Sequence, residues 1–226
     1  AFAGVNCSSV ELLIPNGKSA IYSGNDEWKK FQVKELALGD NGIKVVTIHQ
    51  KSGTNKGLKV GIRTTLPLTF NLGNGSIVKK APGTYSSGRK QIDCTNGGKT
   101  VDLLSMPSAL RDLIINDLNG NDIEHITFNT PELDYLWLTG SQITSLDLTK
   151  MPKLRQLNIY DNVLLEALDL SHNPDLTFLD ISFAEKIQNL DLSATPKLTT
   201  LKAAQTKLST WDLSKVPLLT ELDLSM

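Results

Sequence analysis

From about residue 100 onward, apolar residues recur as L-x-x-L-x-L, each time after a proline. Pro107, Pro131, Pro152, Pro174, Pro196 and Pro217 are separated by 24, 21, 22, 22 and 21 residues. The most regular stretch, Leu165–Leu201, writes LDLS-x-x-P twice at a spacing of 22 residues, and L-T-x-L follows each Pro. Each unit therefore carries two apolar rungs. One is Leu146/Leu148, Leu168/Leu170, Leu190/Leu192 and Trp211/Leu213; the other is Leu136/Leu138, Leu157/Ile159, Leu179/Ile181 and Leu222/Leu224. Alternation within a rung is the period of a β-strand, which sends successive side chains to opposite faces. One coil cannot bury both of its rungs, so the pattern predicts stacked coils around a continuous apolar interior. The L-x-x-L-x-L wall is expected to be the concave parallel sheet, and Trp211, on a rung, is expected in the core.

Before residue 99 the pattern is different. Short alternating or apolar runs (Val10–Ile14, Ile43–His49, Leu58–Arg63, Leu66–Leu72, Ile77–Lys79 and Lys90–Cys94) are separated by turn chemistry enriched in Gly, Asn and Pro. β-Branched runs between such breaks predict short strands and tight hairpins, hence a small β-sandwich or barrel. Asn74-Gly75 marks a hairpin tip, because a type I′ turn needs positive φ. Val33–Ile43 fits V-x-x-L-x-L-x-x-N-x-I once, without a neighbouring copy, and is expected to be a strand and turn of the β-layer.

Composition sharpens the division. Residues 1–99 carry 14 basic and 6 acidic side chains, and residues 100–226 carry 9 and 18, so a net charge of −1 conceals halves of +8 and −9. Fourteen of the 16 glycines precede Lys99. The expected organisation is an N-terminal β-rich domain over 1–98 and a repeat domain over 99–226. The two cysteines, Cys7 and Cys94, lie near the ends of the first. A bridge between them would add about 4–5 kcal/mol in an oxidising compartment by chain entropy; two separate buried thiols are the alternative. Gly4-Val5-Asn6 is a poor lipobox for Cys7. No apolar run reaches the roughly 18 residues of a membrane helix, so no integral membrane segment is expected. Ala1-Phe2-Ala3 has the small-residue look of a signal-peptidase site.

The 21–24-residue period lies in the range of leucine-rich repeats. Ser171-His172-Asn173-Pro174-Asp175-Leu176-Thr177, with its neighbours over residues 100–226, resembles secreted and surface-attached bacterial leucine-rich repeat proteins. These are the internalin type and its relatives on Gram-negative gut anaerobes, whose units read LDLS-x-N-P-x-LT-x-L. The resemblance implies a mainly β, right-handed solenoid of about six repeats. It implies adhesion or ligand binding in the bacterial envelope or outside the cell, and it fixes no partner. The asparagine that usually closes the concave strand in this family is kept only at Asn162; Ser141, Ala184 and Thr206 stand in its place elsewhere.

Side chains between the rung leucines must face out of the concave sheet. They are Asp112, Ile114 and Asn116; Tyr135, Trp137 and Thr139; Gln156, Asn158 and Tyr160; Phe178, Asp180 and Ser182; Thr200, Lys202 and Ala204; Glu221 and Asp223. The candidate ligand-binding set is Tyr135, Trp137, Gln156, Asn158, Tyr160, Phe178, Asp180 and Lys202. Flat aromatic faces beside amides and carboxylates suit sugar stacking and protein hot spots alike. A protein or carbohydrate ligand is therefore expected. On the opposite wall, Asp147, Asp169, Asp191 and Asp212 form a column of like charges. Neighbours about 4.8 Å apart in water repel by roughly 0.9 kcal/mol, so Thr149, Ser171, Ser193, Ser214 or nearby N–H groups are expected to satisfy them.

His49, His125 and His172 are isolated in sequence, and no metalloprotease, nucleophile-elbow, phosphate-loop or paired-cysteine motif is present. No enzyme, cofactor or metal is expected. Basic residues lack interleaved aromatics, so neither is nucleic acid. The final coil ends without a recognisable cap, which makes a homodimer through the C-terminal repeat the alternative to a binding role.

Overall fold

The computed structural model describes residues 11–15, 32–36, 43–50, 58–64, 68–72, 75, 77–80, 91–94, 100–105, 110–117 and 123–225. Cys7, the signal-peptidase-like N-terminus and most of the Val33–Ile43 phrase lie outside these; Cys94 is inside and buried.

The described chain is almost entirely β. Strands β1 (Glu11–Pro15) and β2 (Gln32–Leu36) pair in parallel. A second, antiparallel sheet is built from β3 (Lys44–Gln50), β5 (Leu68–Asn71), β6 (Ile77–Lys80), β8 (Thr100–Leu104) and β10 (Ile123–Phe128), in the order β10-β3-β8-β5-β6. The third holds β4 (Leu58–Thr64), β7 (Gln91–Asp93), β9 (Leu110–Asp117), β11 (Tyr135–Thr139), β12 (Gln156–Asn158), β13 (Phe178–Asp180), β14 (Thr200–Lys202) and β15 (Glu221–Asp223), in the order β15-β14-β13-β12-β11-β9-β4-β7.

The last sheet contains the solenoid. From β9 to β15 all six strands run in parallel, one per coil, and the rung leucines stay in register: Leu113, Leu136, Leu157, Leu179, Leu201 and Leu222 are partners in succession. The first five of these are fully buried. This is the outcome expected of a period-two rung repeated once per coil, since each leucine can leave water only against the leucine of the next coil. In the last coil the rung positions Leu222 and Leu224 are 41% and 37% accessible, and Leu218, which directly follows Pro217, is 54% accessible. Trp211, expected in the core, is half-buried and packs against its edge.

The change of composition near residue 99 does not coincide with a break in hydrogen bonding. β4 pairs antiparallel with β9 over Leu58↔Asp117 to Arg63↔Asp112, and β8 and β10 flank β3 in the other sheet. Without β4, the first parallel strand would present an open edge of N–H and C=O groups. One continuous core then joins Ile48, Phe70 and Leu103 of the antiparallel sheet to Val60, Ile62, Ile115 and the rungs of the solenoid. The second layer of the N-terminal β-structure is thus the solenoid's own sheet, continued. At the expected hairpin tip Gly75 has φ +90°, and the flanking strands pair antiparallel as far as Asn71↔Ile77.

Backbone groups at the corners are closed by polar side chains. Asn162 is fully buried; its Nδ2 donates to the carbonyls of Leu138 and Ile159, both at 2.8 Å, and its Oδ1 accepts from Ser141 Oγ. Thr206 Oγ1 donates to the Ala203 carbonyl at 2.9 Å, so a hydroxyl replaces the amide locally. At the opposite corner the fully buried Asn173 donates from Nδ2 to the Met151 carbonyl at 2.9 Å, an asparagine function the sequence pattern had not singled out.

Candidate functional site

Parallel register fixes which side chains stand side by side on the concave face. One row is Asp112, Tyr135, Gln156, Phe178, Thr200 and Glu221; the next is Ile114, Trp137, Asn158, Asp180, Lys202 and Asp223. Tyr135, Trp137, Gln156, Asn158, Tyr160, Phe178, Asp180 and Lys202, together with Asn116 and Thr139, line one concavity of about 640 Å³. All eight residues singled out from spacing therefore meet, because strand alternation sends them to one face and parallel stacking holds them a strand apart.

The aromatic side chains are neither fully packed away nor independent. Tyr135 and Trp137 are half-buried, with ring centroids 6.1 Å apart and planes tilted by 47°. Phe178 is half-buried under Lys202, whose Nζ lies 6.0 Å from the ring centroid. Tyr160, 41% accessible, packs edge-on against Phe183 with centroids 5.1 Å apart. Phe183 was not among the residues located from the sequence, because it follows the alternating stretch rather than belonging to it.

Between the rings, the polar groups are held by the chain itself. Asn158 Oδ1 accepts from the Tyr160 N–H at 3.0 Å, and Asp180 Oδ1 from the Ser182 N–H at 3.0 Å. Asp223 repeats this with the Ser225 N–H at 3.0 Å, and that bond, backbone first, holds its carboxyl below the usual range. Such a local ring fixes the side-chain plane at the end of each strand. Lys202 pairs with Glu221 at 3.3 Å, and Thr139 Oγ1 donates to Asn116 Oδ1 at 3.1 Å.

The acidic column on the other wall is satisfied in the same manner. Asp147 accepts from Thr149 Oγ1 at 2.7 Å and Thr149 N–H at 2.9 Å; Asp169 accepts from the Ser171 N–H at 2.9 Å and Asp191 from the Ser193 N–H at 2.8 Å; Asp212 accepts from Ser214 Oγ at 2.5 Å. These bonds lower all four carboxyl pKa values, through the hydroxyl first at Asp147, Asp169 and Asp212 and through the backbone N–H first at Asp191.

Two further arrangements arise only on folding. Immediately after the repeat prolines stand Glu132, Lys153, Asp175 and Lys197, whose charges alternate from coil to coil. Glu132 meets Lys153 at 2.6 Å and Arg111 at 2.8 Å, and Asp175 meets Lys197 at 2.5 Å. Alongside them Asp134 accepts from Arg155 Nη2 at 2.7 Å, and Arg63, from β4, donates to Asp112 at 2.7 Å. The Lys153 and Arg155 hydrogen bonds hold the Glu132 and Asp134 carboxyls below their usual range. The second arrangement corrects the expectation of isolated histidines. His49 and His125 are partners across β3 and β10, their rings stacked with centroids 3.9 Å apart. Burial first, then repulsion by His125, lowers the His49 pKa. No group of three or more potential metal ligands occurs among the described residues.

No protein-family model matches this chain, and no curated protein matches it. Among solved structures, it is similar to the functional domain of InlJ from Listeria monocytogenes, which includes a cysteine ladder. The alignment has 32% identity and a TM-score of 0.41, and covers 42% of this chain and 21% of that one. This chain thus spans about a fifth of that relative's length.

Proposed function

We propose that the protein is a secreted or cell-surface binding and adhesion module that recognises a protein or glycan on its concave face, with no reaction of its own. The observation carrying this reading is the convergence of Tyr135, Trp137, Tyr160 and Phe178, with Gln156, Asn158, Asp180 and Lys202, on one open concavity. Aromatic side chains would stabilise the coils equally well facing inward. On the outer face they leave apolar area in water, which an interface can recover. Among the described residues no helix is long and apolar enough to cross a membrane.

The test is a binding screen of the intact chain against glycan and host-protein arrays. Trp137→Ala is expected to abolish any specific signal while leaving the circular dichroism spectrum intact; undiminished binding by that variant refutes the concave site. A second reading is self-association through the C-terminal repeat. Sedimentation decides it, since a dimer that Leu222→Lys dissolves supports association and a strict monomer excludes it.

A further inference from the structure

The four turns that leave the concave strands pass through the left-handed region at equivalent positions: Gly140, Asp161, Phe183 and Gln205, with φ of 67°, 60°, 62° and 54°. Glycine enters this region freely and Asp tolerates it, but a bulky ring there is a conformational outlier. The coil geometry does not require the ring. The amides of Asp161, Phe183 and Gln205 make the same bond to the next coil, donating to Ser182, Ala204 and Ser225 carbonyls at 2.9, 2.9 and 2.8 Å. What distinguishes Phe183 is its ring, which reaches the preceding coil and packs at 61° to Tyr160. Tyr160 itself lines the concavity. The pair therefore carries aromatic surface from the concave face out over the strand ends.

We infer that Tyr160 and Phe183 form a second aromatic subsite at the rim of the concavity, taking a sugar unit of an extended, uncharged polysaccharide whose neighbouring unit stacks at Trp137. This rests on the concave-face reading. Charge favours a neutral chain: Lys202 is paired with Glu221 and Arg63 with Asp112, so the cations flanking the aromatics are already matched. Asn158 and Asp180 each have one oxygen tied to a backbone N–H and bond one another, Nδ2 to Oδ2 at 3.4 Å, which sets their planes beside the rings.

The experiment measures binding of the intact chain to neutral β-glucan, mannan and galactan oligosaccharides of increasing length, from the disaccharide upward. Phe183→Gly and Phe183→Asn both suit the left-handed turn and keep the fold testable by circular dichroism. Expected is about a tenfold loss of affinity for the longer oligosaccharides, the size of an aromatic stacking contact, with disaccharide binding unchanged. Equal affinity of wild type and both variants for the longer chains overturns the rim subsite. A wild-type chain that binds no neutral oligosaccharide overturns the ligand class. If it then captures a protein in a Trp137-dependent way, the concave-face reading survives without this inference; if nothing bound depends on Trp137, both fall.

Discussion

The side chain of Asn162 bonds directly to the backbone of Leu138 on the preceding coil, Nδ2 to carbonyl oxygen at 2.8 Å, and both residues are fully buried. Because the same amide also serves Ile159 and Ser141, one residue closes the ends of two adjacent concave strands just beneath Tyr160. Replacing Asn162 by Ala strands buried carbonyls. The expected loss is about 2–3 kcal/mol by urea denaturation, and a loss under about 0.5 kcal/mol, the range of a neutral surface change, would deny the amide that role.

The charge alternation after the prolines predicts a salt-sensitive effect. Lys153→Glu sets a carboxylate against Glu132 and in the column next to Asp175. The pairs are largely exposed, so a destabilisation of about 0.5–1 kcal/mol is expected at low ionic strength. It should shrink in molar salt, where screening length falls to about 3 Å. A penalty independent of salt points to packing instead.

His49 makes stability depend on pH in a definite direction. Its folded pKa lies below the ordinary 6.5, so between the two values the unfolded chain binds more protons. Stability contributed by the neutral ring is complete above 6.5 and is lost as pH falls through 6.5 toward the folded value. Chemical denaturation across that window should show a slope in the wild type that His49→Gln removes. The same slope in the variant assigns the effect to other groups.

For the acidic column, carboxyl pKa values lowered by Thr and Ser donors contribute stability above the unfolded carboxylate range, which is lost as pH drops through it. Carbon-detected NMR titration should find the Asp147 carboxyl below 3.8, and Thr149→Val should raise it. An unchanged value in Thr149→Val would leave the backbone N–H as its sole support.

Pairing of β4 with β9 predicts that residues 100–226, expressed alone, lose cooperative folding, since they would expose the β9 edge and the core face under Ile62 and Val60. A fragment melting as sharply as the whole chain would make the boundary near residue 98 a division between folding units.

Much of this molecule is written in local pattern. Leucine spacing and the proline period determine that the chain coils, which of its side chains point in, and that Tyr135, Trp137, Gln156, Asn158, Tyr160, Phe178, Asp180 and Lys202 share a face. The reason is that strand alternation and coil stacking depend on near neighbours and on one repeated length. The Ser and Thr partners of the acidic column were legible likewise, being two residues away. Long-range pairing leaves no such mark. That β4 covers the edge of β9, that His49 stacks on His125 from 76 positions further along, and that the solenoid's sheet runs on into the N-terminal half were decided by which strands could bury complementary faces together. Phe183 belongs to that second group. Its sequence position lies outside every rung, and only the left-handed turn, imposed by stacking on the next coil, brings its ring back against Tyr160.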